Sequence, residues 1–224
     1  MYWIAFGDIH EQTGMLGHIP GLREAQGVLL TGDLTNRGTT QAIREVYDDV
    51  AAFNPNIQAV IGNMDTDEVS SFLDRRGANL HLKAMNLFPE LDRPRVGAIG
   101  VGYSTPTPFN TPNEVSEDQL AQWLDQAWEL TMPYDYIVAV IHNPPYKSTT
   151  DDLGGGSHVG SKAVLDFIKK NKPIICITGH IHESKSVDTI GSTTVINTGM
   201  LAHGGYAVIE ASGNKVTASL NQVR

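Results

Sequence analysis

Residues 57–65, IQAVIGNMD, form an apolar run that stops at Gly62, after which Asn63 and Asp65 flank a methionine. A short apolar run bounded by turn residues indicates a buried strand. Gly, Asn and Asp tolerate turn geometry, so an ordinary strand exit explains the stretch when it is considered alone. The same arrangement recurs along the chain, and the recurrence needs another explanation.

Apolar runs and turn residues predict nine strands, which are 2–6, 28–31, 57–61, 96–101, 136–141, 174–178, 194–197, 206–210 and 216–220. Apolar residues spaced three and four apart predict three helices, over 40–53, 116–130 and 161–170. Strands and helices alternate at first, whereas the C-terminal part contains consecutive strands, so we expect an α/β fold with a mixed or antiparallel region. A chain of this length can bury one sizeable core, and we expect residues 1–224 to form a single domain.

Polar side chains follow five of the predicted strands. In open α/β sheets, functional groups collect beyond the carboxyl ends of the strands. Each of these residues alone is explained by a turn, a helix cap or a structural histidine. Together they are carboxylate, amide and imidazole groups that suit Mn, Fe, Zn or Mg, and they suffice for two ions that share one carboxylate. The seven candidate metal ligands are Asp8, His10, Asp33, Asn63, His142, His180 and His182.

Five short motifs carry these residues, and in chain order they are GDIH, GDLTN, GNMD, HNPP and GHIH. They resemble the signature motifs of the calcineurin-like metallophosphoesterase superfamily. The resemblance implies a four-layered α/β/β/α sandwich with two mixed sheets face to face. It also implies two divalent metal ions, with Mn, Fe or Zn expected first and Mg or Ni as alternatives. By this resemblance Asp33 bridges the ions, the first is held by Asp8, His10 and His182, and the second by Asn63, His142 and His180.

The resemblance implies a dinuclear metal-dependent phosphoesterase that acts on a small phosphate ester. Two cations about 3.5–4 Å apart acidify a shared water, and the bridging hydroxide attacks phosphorus in line. We expect Asp33, Asn63 and His142 to act in catalysis. In many members of the superfamily a histidine after the asparagine helps to protonate the leaving group, but this chain has Met64. A thioether cannot serve as an acid, and similar proteins without this histidine include phosphodiesterases, so a diester is favoured over a monoester.

Two segments outside the motifs supply further candidates for substrate binding. The stretch DDLGGGSHVGS, residues 151–161, precedes a predicted helix, where backbone amides attract anions, so Ser157 and His158 could contact a substrate phosphate. A mobile surface turn is an equally good interpretation. His203 follows a late strand and could reach the same edge of the sheet, and His158 or His203 could replace the missing general acid. We therefore predict Asn63, Ser157, His158 and His203 as substrate-binding residues.

Composition excludes several classes of partner. The net charge of −9 argues against a broad nucleic-acid-binding surface, which needs clustered Lys and Arg. We expect no membrane contact, because no segment approaches the roughly 18 apolar residues that cross a bilayer. The N-terminal MYWIAFGDIH has no basic leader, so we expect a cytoplasmic protein. The single cysteine, Cys176, lies in an apolar run and is expected to be inert. The sequence is compatible with an oligomer.

Three alternatives come from other functional classes. A non-catalytic interaction scaffold on the same fold, as in a retromer subunit, is the strongest, and Met64 is its one point of support. All seven ligand positions hold capable residues, which argues against it. A two-metal hydrolase of amides or thioesters usually has its His-X-His motif near the N-terminus, whereas here the motif comes last. A dinucleotide-binding domain is weaker still, because no G-x-G-x-x-G follows the first strand.

Overall fold

The computed structural model describes residues 1–223, which contain two sheets and four α-helices. The strands are β1 (Tyr2–Phe6), β2 (Val28–Leu30), β3 (Ile57–Ala59), β4 (Ala84–Asn86), β5 (Val96–Val101), β6 (Tyr136–Ile141), β7 (Ile175–Thr178), β8 (Ser186–Ile190), β9 (Thr193–Asn197), β10 (Gly205–Ser212) and β11 (Lys215–Gln222). The helices are α1 (Thr40–Ala51), α2 (Asp67–Arg75), α3 (Glu117–Glu129) and α4 (Lys162–Asn171).

Both sheets are mixed, as the resemblance implies. The first has the strand order β11-β10-β1-β2-β3, with β1, β2 and β3 parallel and β10 antiparallel to its neighbours. The second has the order β4-β5-β6-β7-β9-β8, with four central parallel strands and an antiparallel strand at each edge. The carboxyl ends of β1, β2, β3, β6 and β7 carry the motifs.

Three apolar clusters separate four layers. Ile43 of α1 shares the first cluster with Phe6 of the first sheet, and Trp3 shares the second with Val138 of the other sheet. The third cluster contains Leu124 of α3 and lies on the outer face of the second sheet. Burying a side chain of this size contributes about 1.5–3 kcal/mol relative to leaving it exposed. The order helix, sheet, sheet, helix confirms the predicted α/β/β/α sandwich.

The structure contains three elements that the predicted pattern lacks, α2, β4 and β8. β8 is an edge strand in which half-buried and exposed residues alternate, and β4 has three half-buried residues, so neither forms an apolar run. In α2, by contrast, the buried Val69, Phe72 and Leu73 are spaced three and four residues apart, so the apolar pattern of the sequence is enough to identify this helix. Among residues 1–223, no helix has both the length and the apolar composition that crossing a membrane requires.

Helices α3 and α4 meet at a carboxylate. Glu117, in the first turn of α3, accepts hydrogen bonds from the backbone N–H groups of Lys162 and Ala163, at 2.9 and 2.8 Å, and from the Ser161 hydroxyl at 2.6 Å. The Ser161 oxygen in turn accepts from the N–H of Val164 and caps α4. The start of α4 therefore depends on a side chain 44 residues earlier in the chain.

We expect Glu117→Ala to lower the free energy of unfolding by about 1–3 kcal/mol, because it leaves N–H donors of α4 without a partner. Urea denaturation measures the loss. Asp118→Ala is the matched control, since Asp118 is exposed in the same turn of α3, and should change stability by less than about 0.5 kcal/mol. Equal losses in the two variants would contradict this role of Glu117.

Candidate metal centre

The loops that follow the parallel strands converge at one edge of the two sheets. The loop after β1 lies along the loop after β2, because the Asp8 N–H donates to the Gly32 carbonyl at 2.9 Å and the His10 N–H to the Asp33 carbonyl at 3.0 Å. The His180 N–H, from the second sheet, donates to the Asp8 carboxylate at 3.0 and 3.1 Å. One carboxylate thus joins the carboxyl ends of both sheets.

Glycine permits the close approach of these loops. A Cβ on Gly179 would lie 2.5 Å from Oδ2 of Asp8, and one on Gly62 would overlap Oδ1 of Asp33, so no larger residue fits at either position. Four of the predicted ligands also adopt the left-handed backbone region that side chains disfavour, which costs of the order of 1 kcal/mol each. They are Asp8, His10, Asp33 and His180, with φ of 47°, 48°, 50° and 71°.

The side chains form two groups that share Asp33. One contains Asp8, His10, Asp33 and His182, and the other Asp33, His142 and His180; within each group, one nitrogen or carboxylate oxygen from each residue lies within 4.8 Å of those of the others. Asn63 adjoins the second group, with Oδ1 3.0 Å from Nε2 of His142. This is the division that the resemblance implies. Coordination of metal by these residues stays a prediction.

The tautomer of His142 follows from its surroundings. Its Nδ1 lies 2.8 Å from the Thr31 carbonyl, which can only accept, so Nδ1 carries the proton. Burial lowers the pKa of His142, and the ring is therefore neutral at pH 7. Its Nε2 consequently presents a lone pair to Oδ1 of Asn63.

The orientation of the Asn63 amide is fixed by Thr111 and Glu114. The Thr111 hydroxyl donates to the Glu114 carboxylate at 2.5 Å, so its oxygen accepts from Nδ2 of Asn63, at 3.0 Å. Burial raises the pKa of Glu114, but hydrogen bonds from Thr107 and Thr111 outweigh it and bring the pKa to about 2, so this acceptor stays ionised. Oδ1 of Asn63 must then face His142, and two acceptors meet at 3.0 Å.

A second close pair of polar atoms consists of ring nitrogens of His10 and His182. Nδ1 of His10 lies 2.8 Å from Oδ1 of Asn36, whose Nδ2 donates to the His10 carbonyl at 3.0 Å, so His10 Nδ1 is the donor. Nε2 of His10 therefore presents a lone pair, 3.1 Å from Nε2 of His182 and 3.8 Å from Oδ2 of Asp33. Asn36, which the sequence pattern does not single out beyond its motif, orients this ring as outer partners orient metal-binding histidines.

These separations fit a cation between the facing atoms. Two ligands bound at 2.0–2.2 Å in a tetrahedral or octahedral shell lie about 2.8–3.6 Å apart, as estimated from the usual bond lengths. The spacings of 3.0 Å for Asn63 with His142, 3.1 Å for His10 with His182 and 3.4 Å for His182 with Asp8 fall in that range. The facing acceptors of Asn63 and His142 repel each other unless a positive charge lies between them, so the donor set fits divalent metal.

The pKa values of the clustered groups shift in different directions, and a hydrogen bond with Asp8 raises the pKa of His182. Burial, together with the charges of Asp8 and Asp65, holds the pKa of Asp33 well above its usual value. Burial and the neighbouring His142 lower the pKa of His180 to about 3. Neutral imidazoles are the form that binds metal, and a buried carboxylate near other carboxylates is stabilised by a cation.

Asp65 supports the loops without facing the cluster. Its carboxylate accepts from the N–H groups of Gly62, Leu34 and Thr35 and from the Thr35 hydroxyl, at 2.8 to 3.1 Å. It therefore ties the loop after β3 to the loop after β2, where Asp33 lies. Asp65 acts on these loops through backbone amides and the Thr35 hydroxyl.

A cavity of about 780 Å³ opens beside the cluster, lined by His10, Asp33, Asn63, His180 and His182 together with the loop 105–111. The sequence predicts that loop only as part of a surface segment rich in Thr and Pro, residues 103–113. Thr111 of this loop contacts Asn63, which is 48 residues away in the sequence, so no short sequence pattern predicts the contact.

The other predicted substrate-binding residues lie apart from the cavity wall. Leu153 and Val159 of the 151–161 stretch line the cavity, whereas Ser157 and His158 do not. The ring of His158 is bonded to the buried Asp151 at 2.7 Å. His203 is exposed and is also absent from the lining. Substrate binding by Ser157, His158 and His203 stays a prediction.

Comparison with known proteins identifies the family. The family model for calcineurin-like phosphoesterases matches residues 2–184. The chain belongs to the calcineurin-like phosphoesterase family. The uncharacterized protein MJ1162 of Methanocaldococcus jannaschii is 33% identical over 186 residues, which cover 80% of this chain and 81% of the relative. The family comprises metal-dependent phosphoesterases, and the Asp and His clusters of this chain are suited to divalent metal.

Solved structures support the fold of this calcineurin-like phosphoesterase. The crystal structure of TT1561 from Thermus thermophilus has a TM-score of 0.71 at 18% identity, covering 100% of this chain and 99% of that one. A putative 5'-nucleotidase from Staphylococcus aureus, in complex with alpha-ketoglutarate, has a TM-score of 0.63 at 15% identity. The match covers 99% of this chain but only 54% of the nucleotidase. At such identities the likeness concerns the fold alone.

We expect Thr111→Val to weaken manganese binding by about tenfold, measured by titration calorimetry. Without the hydroxyl, the Asn63 amide can rotate so that Nδ2 donates to His142 and the oxygen turns away. Thr107→Val is the matched control, because Thr107 also donates to Glu114, at 2.6 Å, but does not contact Asn63. Thr111→Ser should retain the wild-type affinity. Unchanged affinity in Thr111→Val would show that Asn63 is oriented by other means.

Proposed function

We propose that this family member is a dinuclear metal-dependent phosphodiesterase that acts on a small phosphate ester. The observation that carries the proposal is the pair of acceptors held face to face, Nε2 of His142 and Oδ1 of Asn63, at 3.0 Å. A second pair of close polar atoms, Nε2 of His10 and Nε2 of His182 at 3.1 Å, belongs to the group that contains Asp8. Two divalent cations, with Mn, Fe or Zn expected first, would satisfy both pairs and share the Asp33 carboxylate.

The chemistry that such a pair of cations supplies is activation of a shared water for in-line attack on phosphorus and stabilisation of charge on the phosphoryl oxygens. The residues of this chain orient the candidate metal ligands. Thr31 and Asn36 fix the rings of His142 and His10, and Thr111 fixes Asn63. The Met64 N–H donates to Oδ1 of Asp33 at 2.8 Å, so the backbone holds in place the carboxylate that both cations would share.

A diester is favoured over a monoester for two reasons. Met64 lines the cavity at the position where the superfamily resemblance implies a histidine in many members, and a thioether cannot protonate a leaving group. The cavity also extends well beyond the cluster along the loop 105–111, which leaves room for a second ester substituent. The nucleotidase named above represents the rival class, a monoester, but its 15% identity supports only the fold.

Two further expectations accompany the proposal. We propose a single domain, supported by the pairing of β10 with β1, which ties the C-terminal strands into the first sheet. A cytoplasmic location and any oligomeric state remain predictions from the sequence. The non-catalytic scaffold stays the alternative function, favoured by Met64 alone.

We expect Asp33→Asn to lower turnover of bis(p-nitrophenyl) phosphate by at least about 100-fold, because the neutral amide removes the negative charge that both cations share. Release of p-nitrophenol in the presence of manganese measures turnover. Asp67→Asn is the control, since Asp67 is an exposed carboxylate in the first turn of α2.

Undiminished turnover in Asp33→Asn would refute the assignment of the centre. A wild-type protein that binds manganese but hydrolyses neither diesters nor monoesters would instead support the scaffold. The two results differ because manganese binding is measured separately from turnover.

We expect Met64→His to raise hydrolysis of phenyl phosphate by up to about 100-fold, since a poor leaving group gains most from an added general acid. The wild-type protein should hydrolyse bis(p-nitrophenyl) phosphate faster than p-nitrophenyl phosphate, and Met64→Leu should preserve that order. Comparison of kcat/KM across the three substrates provides the measurement. A wild-type preference for the monoester would remove the inference drawn from Met64.

A further inference from the structure

An aromatic ring stands exposed on the wall of the cavity. The side chain of Phe109 is 77% exposed and lines the same cavity as Asp33, Asn63 and the histidines. Most large apolar side chains of this chain are buried, and an exposed aromatic ring beside a concave polar site is a common means of binding a ligand. Pro106 and Pro108 on the same wall add rigid apolar surface.

The loop that carries Phe109 is held in place by hydrogen bonds. The Phe109 N–H donates to the hydroxyl of Thr107 at 3.2 Å, and that hydroxyl donates to Glu114 at 2.6 Å. On the other side, the guanidinium of Arg37 donates to the carbonyl of Asn110 at 3.0 Å. An aromatic ring on a fixed loop loses little conformational entropy when a ligand binds.

The loop is also tied to the phosphoryl centre. Thr111, two residues after Phe109, accepts from Asn63, and the N–H of Asn113 donates to the Asn63 carbonyl at 3.0 Å. The backbone of the loop that carries Phe109 is therefore held next to Asn63 by direct contacts. A substrate whose phosphoryl group occupies the centre would extend toward this ring.

The size and lining of the cavity define the group that fits there. A volume of about 780 Å³ is typical of sites for drug-sized ligands and far exceeds that needed for a phosphate or a methyl ester. Leu153 and Val159, from the 151–161 stretch, add apolar side chains from a second segment. The ring of Phe109 offers a π face, which favours a planar aromatic partner over an aliphatic group of equal size.

We propose that Phe109 forms an aromatic subsite that binds a planar ring attached to the substrate phosphoryl group. The subsite rests on the proposed function, because the phosphoryl group must be anchored at the metal centre. It narrows the substrate class to phosphate diesters that carry an aromatic or heteroaromatic substituent. Phe109 is then a specificity-determining residue for the reaction.

Non-hydrolysable phosphonates test the subsite by binding rather than by turnover. Calorimetry on the full chain loaded with manganese would compare phenylphosphonate, cyclohexylphosphonate and methylphosphonate. The first two have rings of similar size, but only phenyl is planar and aromatic. We expect phenylphosphonate to bind about 2- to 10-fold more tightly than cyclohexylphosphonate, and methylphosphonate to bind most weakly.

Variants at the exposed position assign the preference to Phe109. Phe109→Ala should abolish the difference between phenyl and cyclohexyl, and Phe109→Trp should retain it. Met132→Ala is the matched control, since Met132 is 88% exposed and does not line the cavity. Because Phe109 is itself exposed, these changes should leave the unfolding transition unaltered.

Two results would overturn the subsite, namely equal binding of the two rings by the wild-type protein, or a phenyl preference that survives Phe109→Ala. Either could occur while methylphosphonate still binds, and the metal centre would then stand without the subsite. Failure of all three phosphonates to bind the manganese-loaded protein would overturn the proposed centre and the subsite together.

Discussion

The pair of hydrogen bonds from the His180 N–H to the Asp8 carboxylate is the contact on which the site depends. Asp8 follows β1 in the first sheet and His180 follows β7 in the second, so this carboxylate, together with the hydrogen bond between His142 and the Thr31 carbonyl, sets the position of one sheet edge against the other. It needs Gly179, where any Cβ would meet Asp8 Oδ2. With this contact in place, the carboxylates and imidazoles gather into two groups that share Asp33, with ligand atoms within 4.8 Å of one another in each group.

Holding those groups together costs the fold stability. Asp8, Asp33 and Asp65 are buried within one region, and carboxylates so placed repel each other. The acceptor pair formed by His142 with Asn63 adds further repulsion. Surrounding hydrogen bonds and the three apolar clusters offset this cost. Bound cations would convert repulsion into attraction, so the arrangement makes physical sense as a preorganised cation site.

The sequence predicts the strand ends well because a buried strand has a local signature, an apolar run followed by glycine and a polar residue. It predicts the four layers only through the resemblance, since pairing between strands such as β1 and β10 joins residues some 200 positions apart. Edge strand β8 has too few apolar residues to be recognised. The roles of Asn36, Thr111 and Glu114 depend on contacts between distant segments, and no spacing in the sequence encodes them.

The carboxylate of Glu114 contacts both ends of the loop segment 107–111, which carries Phe109 and contacts Asn63. Glu114 accepts from Thr107, which positions the Phe109 backbone, and from Thr111, which orients Asn63 at the centre. The two hydroxyls bind the same oxygen, Oε1, so a shift in Glu114 would move both the cavity wall and a candidate metal ligand. Its low pKa of about 2 keeps the acceptor charged across the physiological range. On the proposed function, substrate preference and metal affinity would therefore be coupled through Glu114, because one carboxylate oxygen accepts from both hydroxyls.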